Sequence, residues 1–98
     1  MILVERLGDT INANVIQLEE LKFPSLVIQG DSMSILYSLA QSAAANARAG
    51  TPEAFDECLD EFAEIEGLLR GYLVAYDLAL TENDIPLPYV GSYVARTR

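Results

Sequence analysis

The hydrophobic pattern of this chain changes from strand-like to helix-like at Gly30-Asp31-Ser32. Before that junction, Leu26-Val27-Ile28 is a short run of residues that favour β-strands. After it, apolar residues recur at intervals of three and four, which is the spacing of one helix face. The members of this face are Ile35, Leu36, Leu39, Ala43 and Ala47. The junction therefore limits the chain to folds in which strands come first and helices follow.

Three short β-favouring segments precede the helices. We predict strands at about residues 2–7, 12–18 and 25–29, separated by the turn-forming Gly8-Asp9-Thr10 and by residues 19–24. Such short links favour antiparallel neighbours. The segments therefore predict a small three-stranded antiparallel sheet. Its third strand is apolar on both faces, so we expect that strand to be central.

The first helix is predicted over about residues 32–49. Asp31 or Ser32 can cap the exposed N–H groups at its start with a side-chain oxygen. Gly50 is placed to end it. The second half of this helix is rich in alanine, which favours helix and lets a neighbouring element approach closely.

The second helix is predicted over about residues 52–82 and is long. Thr51 supplies a capping hydroxyl, and Pro52 occupies the first turn, where its missing N–H costs little. One apolar stripe runs along this helix, and we expect its residues to lie in the core: Phe55, Leu59, Phe62, Ile65, Leu69, Tyr72, Leu73, Tyr76 and Leu80. Gly67 and Gly71 should each cost about 1 kcal/mol relative to alanine. Close approach to the first helix, a bend, or a contact with another subunit would explain them.

The chain after the second helix is predicted to be an extended tail over residues 83–98, because Pro86 and Pro88 prevent further helix. Whether this tail packs through its apolar residues is left open. At 98 residues the chain is long enough for one hydrophobic core and too short for two. We therefore predict a single α+β domain, residues 1–98, with the order β-β-β-α-α.

Composition excludes several classes of function. The chain has no histidine and one cysteine, Cys58, which excludes an intrachain disulfide and the usual zinc and haem ligand sets. We expect no metal and no cofactor.

The net charge of -9 repels nucleic-acid phosphates and anionic membrane surfaces, so neither is an expected partner. No apolar run approaches the roughly 20 residues that cross a bilayer, and no signal peptide is evident, so a cytoplasmic location is expected.

The strand-to-helix junction carries the one motif with a known chemistry. Gly30-Asp31-Ser32 resembles the Gly-Asp-Ser block of a large family of serine esterases and lipases, in which the serine is the nucleophile. Those enzymes activate the serine with a histidine, which this chain lacks. We therefore assign no catalytic residue and expect a protein that is not an enzyme. A small-ligand or catalytic pocket at Gln29, Asp31 and Ser32 is kept as an alternative.

The strongest surface feature is a set of acidic residues in the first half of the second helix. Its members are Glu53, Asp56, Glu57, Asp60, Glu61, Glu64 and Glu66, and no lysine or arginine lies between residues 49 and 69. Like charges four residues apart on a helix destabilise it by tenths of a kcal/mol per pair, roughly. A solvated face that maintains solubility and a surface that docks a basic protein both explain the pattern. The candidate partner-binding residues are Asp56, Glu57, Asp60, Glu61 and Glu64.

The run from Lys22 to Met33 is similar to the signature of a family of small bacterial proteins of unknown function. That signature has a basic residue, then Phe-Pro-Gly, a short apolar strand, and Gln-Gly-Asp-Ser-Leu at the start of a helix. This chain departs from it with Ser25 at the glycine and Met33 at the leucine. The resemblance implies a soluble bacterial protein of β-β-β-α-α type and supplies no activity.

Three functional hypotheses follow. The first is a non-enzymatic interaction or accessory protein, for example an immunity-like neutraliser, that uses the acidic helix face against a basic partner. The second is the small-ligand or catalytic site at the strand-to-helix junction. The third is a homo-oligomeric structural protein that associates through the long helix, with Gly67 and Gly71 at the contact.

Overall fold

The structure is a computed structural model that describes residues 4–9 and 13–94. Its elements are β1 (Val4–Asp9), β2 (Ala13–Leu18), β3 (Ser25–Ile28), α1 (Gly30–Ala49) and α2 (Pro52–Glu82). The predicted α+β class, with two helices of which the second is long, is confirmed. Residues 2–3, 10–12 and 95–98 of the predicted strands, turn and tail lie outside the described residues.

The strands form an antiparallel sheet in which β2 lies between β1 and β3. Val4 lies opposite Leu18 in the first pairing, and Val15 lies opposite Leu26 in the second. The prediction that the third strand is central is therefore wrong, because β3 lies at an edge. Short links pair each strand with the next one along the chain, and this places the middle strand at the centre.

The β1 strand continues beyond its predicted end. Gly8 and Asp9, which we expected in a turn, belong to the strand and lie opposite Val15 and Asn14. The pairing register shifts between Arg6 and Gly8. Glycine inside a strand often marks such an irregularity. The residue that we interpreted as turn-forming therefore permits a local break in the ladder.

The α1 helix begins two residues earlier than predicted. Its first residue is Gly30, so Asp31 and Ser32 lie inside the first turn and Gln29 is in the capping position. The helix ends at Ala49, as predicted, because Gly50 adopts a φ of 71°. Glycine enters this left-handed conformation without the steric cost that other residues bear.

The α2 helix has the bounds that the sequence predicts, Pro52–Glu82. At its start, the Thr51 hydroxyl oxygen accepts a hydrogen bond from the Ala54 backbone N–H at 3.1 Å. At its end, Asp84 adopts a φ of 56°, its N–H donates to the Thr81 carbonyl, and the Ile85 N–H donates to the Leu80 carbonyl. This pair of bonds is a Schellman motif, which satisfies two of the last helical carbonyls and turns the chain back.

The chain forms two compact units. One comprises Met1–Gln29 and Arg70–Arg98, and the other comprises Gly30–Leu69. The α2 helix contributes its second half to the first unit and its first half to the second unit. We refer to them below as the sheet unit and the hairpin unit.

The core of the sheet unit lies between the sheet and the second half of α2. Its buried residues are Val15, Tyr76, Ala79 and Leu80, with Leu26, Ile85, Leu87 and Tyr89 packed against them. The Tyr76 hydroxyl donates a hydrogen bond to the Pro24 carbonyl at 2.7 Å, which joins the helix to the segment before β3. The tail residues Leu87 and Tyr89 thus complete the core, which settles the packing question left open above.

The hairpin unit joins α1 to the first half of α2 through the two residues Gly50 and Thr51. Its buried side chains are Ser32, Leu36, Ala43 and Cys58. The Asn46 side-chain amide donates to the Glu61 carboxylate at 2.8 Å, which joins the two helices. Ile35 and Ala47, predicted to lie on the apolar face of α1, are exposed. Small residues therefore form much of this interface, and several large apolar ones do not take part.

Leu80 should be a main source of stability in the sheet unit. Because its side chain is 0% exposed, Leu80→Ala should lower the free energy of unfolding by about 2–5 kcal/mol. Leu78→Ala is the matched control on the same helix, since Leu78 is 44% exposed. Urea denaturation followed by circular dichroism measures both variants. An equal loss in the two variants would contradict the described core.

Candidate functional site on the second helix

The acidic residues of α2 mostly face solvent. Asp56, Glu57, Asp60 and Glu64 are all exposed, and we call these four residues the acidic face. The helix rises about 1.5 Å per residue, so Asp56, Asp60 and Glu64 follow one another at steps of about 6 Å. No cation interrupts the set in sequence, since the flanking basic residues are Arg48 and Arg70. The face therefore presents concentrated negative charge on a fixed scaffold.

Glu61 has a different role from the other candidate residues. Its side chain is half-buried and accepts the hydrogen bond from Asn46 of α1. A carboxylate held in this way stabilises the pairing of the two helices. The structure therefore brings four of the five predicted partner-binding residues together at the surface and gives the fifth an internal partner.

Three large apolar side chains of α2, predicted to be core, lie at the surface of the hairpin unit. Phe55, Leu59 and Phe62 are 58%, 51% and 53% exposed, and we call them the apolar ridge. Leu69, from the same predicted stripe, is 46% exposed. The protected positions of this half are instead Ala54, Cys58, Glu61, Ile65, Gly67 and Leu68. One helix covers only one side of another, so the wide apolar stripe is covered along one edge alone.

The junction residues support the start of α1. Gln29 and Asp31 are exposed, whereas Ser32 is only 9% exposed. The Asp31 carboxylate accepts a hydrogen bond from the Ser32 backbone N–H at 2.9 Å. An acidic group in the first turn also interacts favourably with the helix dipole. The support of the helix start explains why Gly30-Asp31-Ser32 stands at this junction. The ligand site there stays a prediction.

Gly67 and Gly71 have open space where a side chain would begin. A Cβ atom added at either position would meet no heavy atom of another described element within 4 Å. Close approach to α1, one of the explanations offered for these glycines, is therefore not found at Gly67 among the described residues. Self-association through them stays a prediction.

Two further features of the described residues bear on ligand binding. A shallow depression of about 410 Å³ lies on α1 and is lined by Tyr37, Ala40, Gln41, Ala44 and Arg48. Within residues 4–9 and 13–94, no group of three or more cysteine, aspartate or glutamate side chains is placed to hold a metal ion.

Over the same ranges, neither helix combines the length and the apolar character needed to cross a membrane.

Asp77 is a buried carboxylate that we did not single out from the sequence. Its side chain is 0% exposed. It accepts hydrogen bonds from the Tyr89 hydroxyl, the Ser92 hydroxyl at 3.1 Å and the Tyr93 backbone N–H. Three donors from one segment satisfy the carboxylate and hold the tail against α2. A signal was present, because Asp77 is the one charged residue between Arg70 and Glu82.

Two tyrosines near Asp77, Tyr76 and Tyr89, have raised pKa values, chiefly because they are buried. The Tyr89 ring lies 6.4 Å from the Tyr76 ring and 5.3 Å from the Tyr93 ring, measured between centroids. Burial raises the pKa of Tyr89, and its hydrogen bond to Asp77 raises that pKa further. Burial also raises the pKa of Tyr76, with a smaller contribution from the charge of Asp77. Both effects favour the protonated phenol in the folded protein.

Comparison with known proteins bears on the chain as a whole. The model of DUF6959, a family of unknown function, matches residues 1–89. The chain belongs to this family. The DUF6959 match includes the sheet, both helices and the tail as far as Tyr89. Searches of curated proteins and of solved structures gave no match. Membership of an uncharacterised family is thus confirmed, whereas the signature from Lys22 to Met33 stays a prediction.

Removal of the Asp77 carboxylate should release the tail. We expect Asp77→Ala to lower the free energy of unfolding by about 3 kcal/mol, because hydrogen bonds to a buried charge are lost. The Tyr93 amide proton should also exchange faster with solvent, as measured by hydrogen–deuterium exchange. Glu82→Ala is the control, since Glu82 is an exposed acid on the same helix. Unchanged exchange at Tyr93 in Asp77→Ala would show that the carboxylate does not hold the tail.

Tyr89 should make the protein sensitive to alkali. Its pKa is higher in the folded chain, so its contribution to stability is full below about pH 10 and is lost as the pH rises further. Urea denaturation at about pH 9 and about pH 11 should show a smaller loss in Tyr89→Phe than in the wild type. Tyr37→Phe is the control, since Tyr37 is 66% exposed. An identical alkaline loss in wild type and Tyr89→Phe would disprove this assignment.

Proposed function

We propose that this protein is a non-enzymatic interaction domain that binds a basic partner protein through the acidic face of α2. The observation that carries the proposal is the exposure of all four residues of that face on one helix. Asp56, Glu57, Asp60 and Glu64 all contact solvent, and the sequence between residues 49 and 69 contains no lysine or arginine.

The energetics of the free helix support this proposal. Asp56, Asp60 and Glu64 stand four residues apart, so each adjacent pair repels and destabilises the helix by tenths of a kcal/mol, roughly. A basic partner surface would remove that repulsion on binding. Clustered charge also steers an oppositely charged partner and raises the rate of association.

The chemistry of the chain supports a non-enzymatic role. The sequence has no histidine to act as a general base near neutral pH. Its single thiol, Cys58, is 3% exposed and therefore poorly accessible to a substrate. An accessory or immunity-like protein that covers a basic surface on its target would need charge and shape alone. The alternatives at the junction and at Gly67 and Gly71 stay predictions, since no contact described above favours them.

Neutralisation of the acidic face should weaken partner binding without unfolding the protein. The test variant combines Asp56→Asn, Asp60→Asn and Glu64→Gln. The matched control combines Glu19→Gln, Glu20→Gln and Glu82→Gln, three exposed acids outside the face. Both triple variants have a net charge of -9 + 3 = -6. The measurement is affinity capture from a lysate of the source cell at low and high salt, quantified by mass spectrometry.

We expect the test variant to lose a basic protein that the wild type and the control variant both retain. The wild-type interaction should also weaken as salt rises, because screening acts on exposed charges. Equal retention by the two variants would disprove a role for the acidic face. Equal loss from both variants would show that binding depends on net charge and not on the acidic face, and this would also count against the proposal.

A further inference from the structure

The apolar ridge is an unusual surface for a free protein. Phe55, Leu59 and Phe62 lie at positions i, i+4 and i+7, so they form a continuous row along α2. Each is more than half exposed. Single exposed apolar residues are common, but a contiguous row of large ones is typical of an interaction site.

The ridge borders the acidic face. Successive residues of a helix are separated by about 100° around its axis. Leu59 therefore lies about 60° from Asp56 and about 100° from Asp60, so the two acids flank one edge of the row. The other edge meets the protected side of the helix, where Cys58 is buried. An apolar row bounded by carboxylates is complementary to a surface with apolar residues at its centre and cations at its rim.

We propose that the apolar ridge binds an amphipathic basic helix of the partner protein. This inference rests on the proposed function and adds the form of the partner. The ridge runs from Phe55 to Phe62, a rise of about 10 Å, which is close to two turns of a helix. Apolar residues of the partner at i, i+3 or i+4, and i+7 contact the ridge, and lysines or arginines beside them meet Asp56 and Asp60.

Charge selects this occupant over a second copy of the chain. Each copy has a net charge of -9, and ridge-to-ridge packing would bring two acidic faces close together. The same charge opposes insertion of the ridge into an anionic membrane surface. A basic helix gains from both parts of the surface, because its apolar face covers the ridge while its cations neutralise the carboxylates.

Two synthetic peptides test the proposal. The first is an 18-residue amphipathic helix made of leucine and lysine, and the second is a scrambled peptide of identical composition with no apolar face. Both peptides have the same charge, so a difference between their affinities measures the contribution of the ridge. Fluorescence anisotropy measures their affinities for the wild type and the variants at low salt. Circular dichroism confirms that each variant is folded, and light scattering gives its oligomeric state.

The ridge variant is Leu59→Ser with Phe62→Ser. Its matched control is Leu21→Ser with Val90→Ser, two apolar residues of the sheet unit that are 46% and 95% exposed. The wild type and the control should bind the amphipathic peptide about tenfold more tightly than the scrambled one, which corresponds to about 1.4 kcal/mol. The ridge variant should lose this preference and keep its salt-dependent affinity for both peptides.

The outcomes separate this inference from the proposed function. If neutralising the acidic face weakens both peptides while the ridge variant behaves like the wild type, the ridge proposal fails and the acidic face stands. If neither variant changes binding, both proposals fail. A wild-type dimer that the ridge variant converts to a monomer would show that a second copy covers the ridge, and this would overturn the proposal.

Discussion

The length of α2 is the constraint on which the rest of the structure depends. The helix has 31 residues and is therefore about 46 Å long, and it supplies part of both compact units of a 98-residue chain. One side of its second half packs against the sheet and the tail, so Tyr76, Asp77, Ala79 and Leu80 are buried. Its first half has α1 as its neighbour within the hairpin unit, and the apolar ridge remains exposed. The surface proposed for binding is thus the part of this first half that remains exposed beside α1.

The two halves of α2 use their carboxylates in opposite ways. In the second half, Asp77 is buried and is satisfied by three donors from the tail, so its charge stabilises the fold. In the first half, the acidic face has solvent around it and adds like-charge repulsion. Glu61 lies between these cases, since it accepts a hydrogen bond from Asn46. Burial and available donors separate structural acids from candidate binding acids.

Local signals in the sequence predicted where helices begin and end better than they predicted which elements pack together. Thr51, Pro52 and Gly50 mark helix ends through backbone chemistry that acts over a few residues, so the α2 bounds and the α1 end were predictable. The hydrogen bonds that hold the tail to Asp77 join segments distant in sequence, which periodicity does not reveal. The strand order follows from the short links, which are a better guide than the apolar character of a single strand. The ridge is instructive in the same way, because an apolar stripe shows which residues avoid water and does not show whether the chain can cover them.

Both proposals need the apolar ridge to be exposed beside the acidic face, and solvent paramagnetic relaxation measured by NMR reports that exposure for each side chain. A neutral gadolinium chelate would be added to dilute protein with assigned side-chain resonances, and Leu80 would serve as the buried reference, since it is 0% exposed. Strong relaxation enhancement is expected at Phe55, Leu59 and Phe62, and little is expected at Leu80. Protection of the three ridge side chains to the level of Leu80 would contradict this exposure.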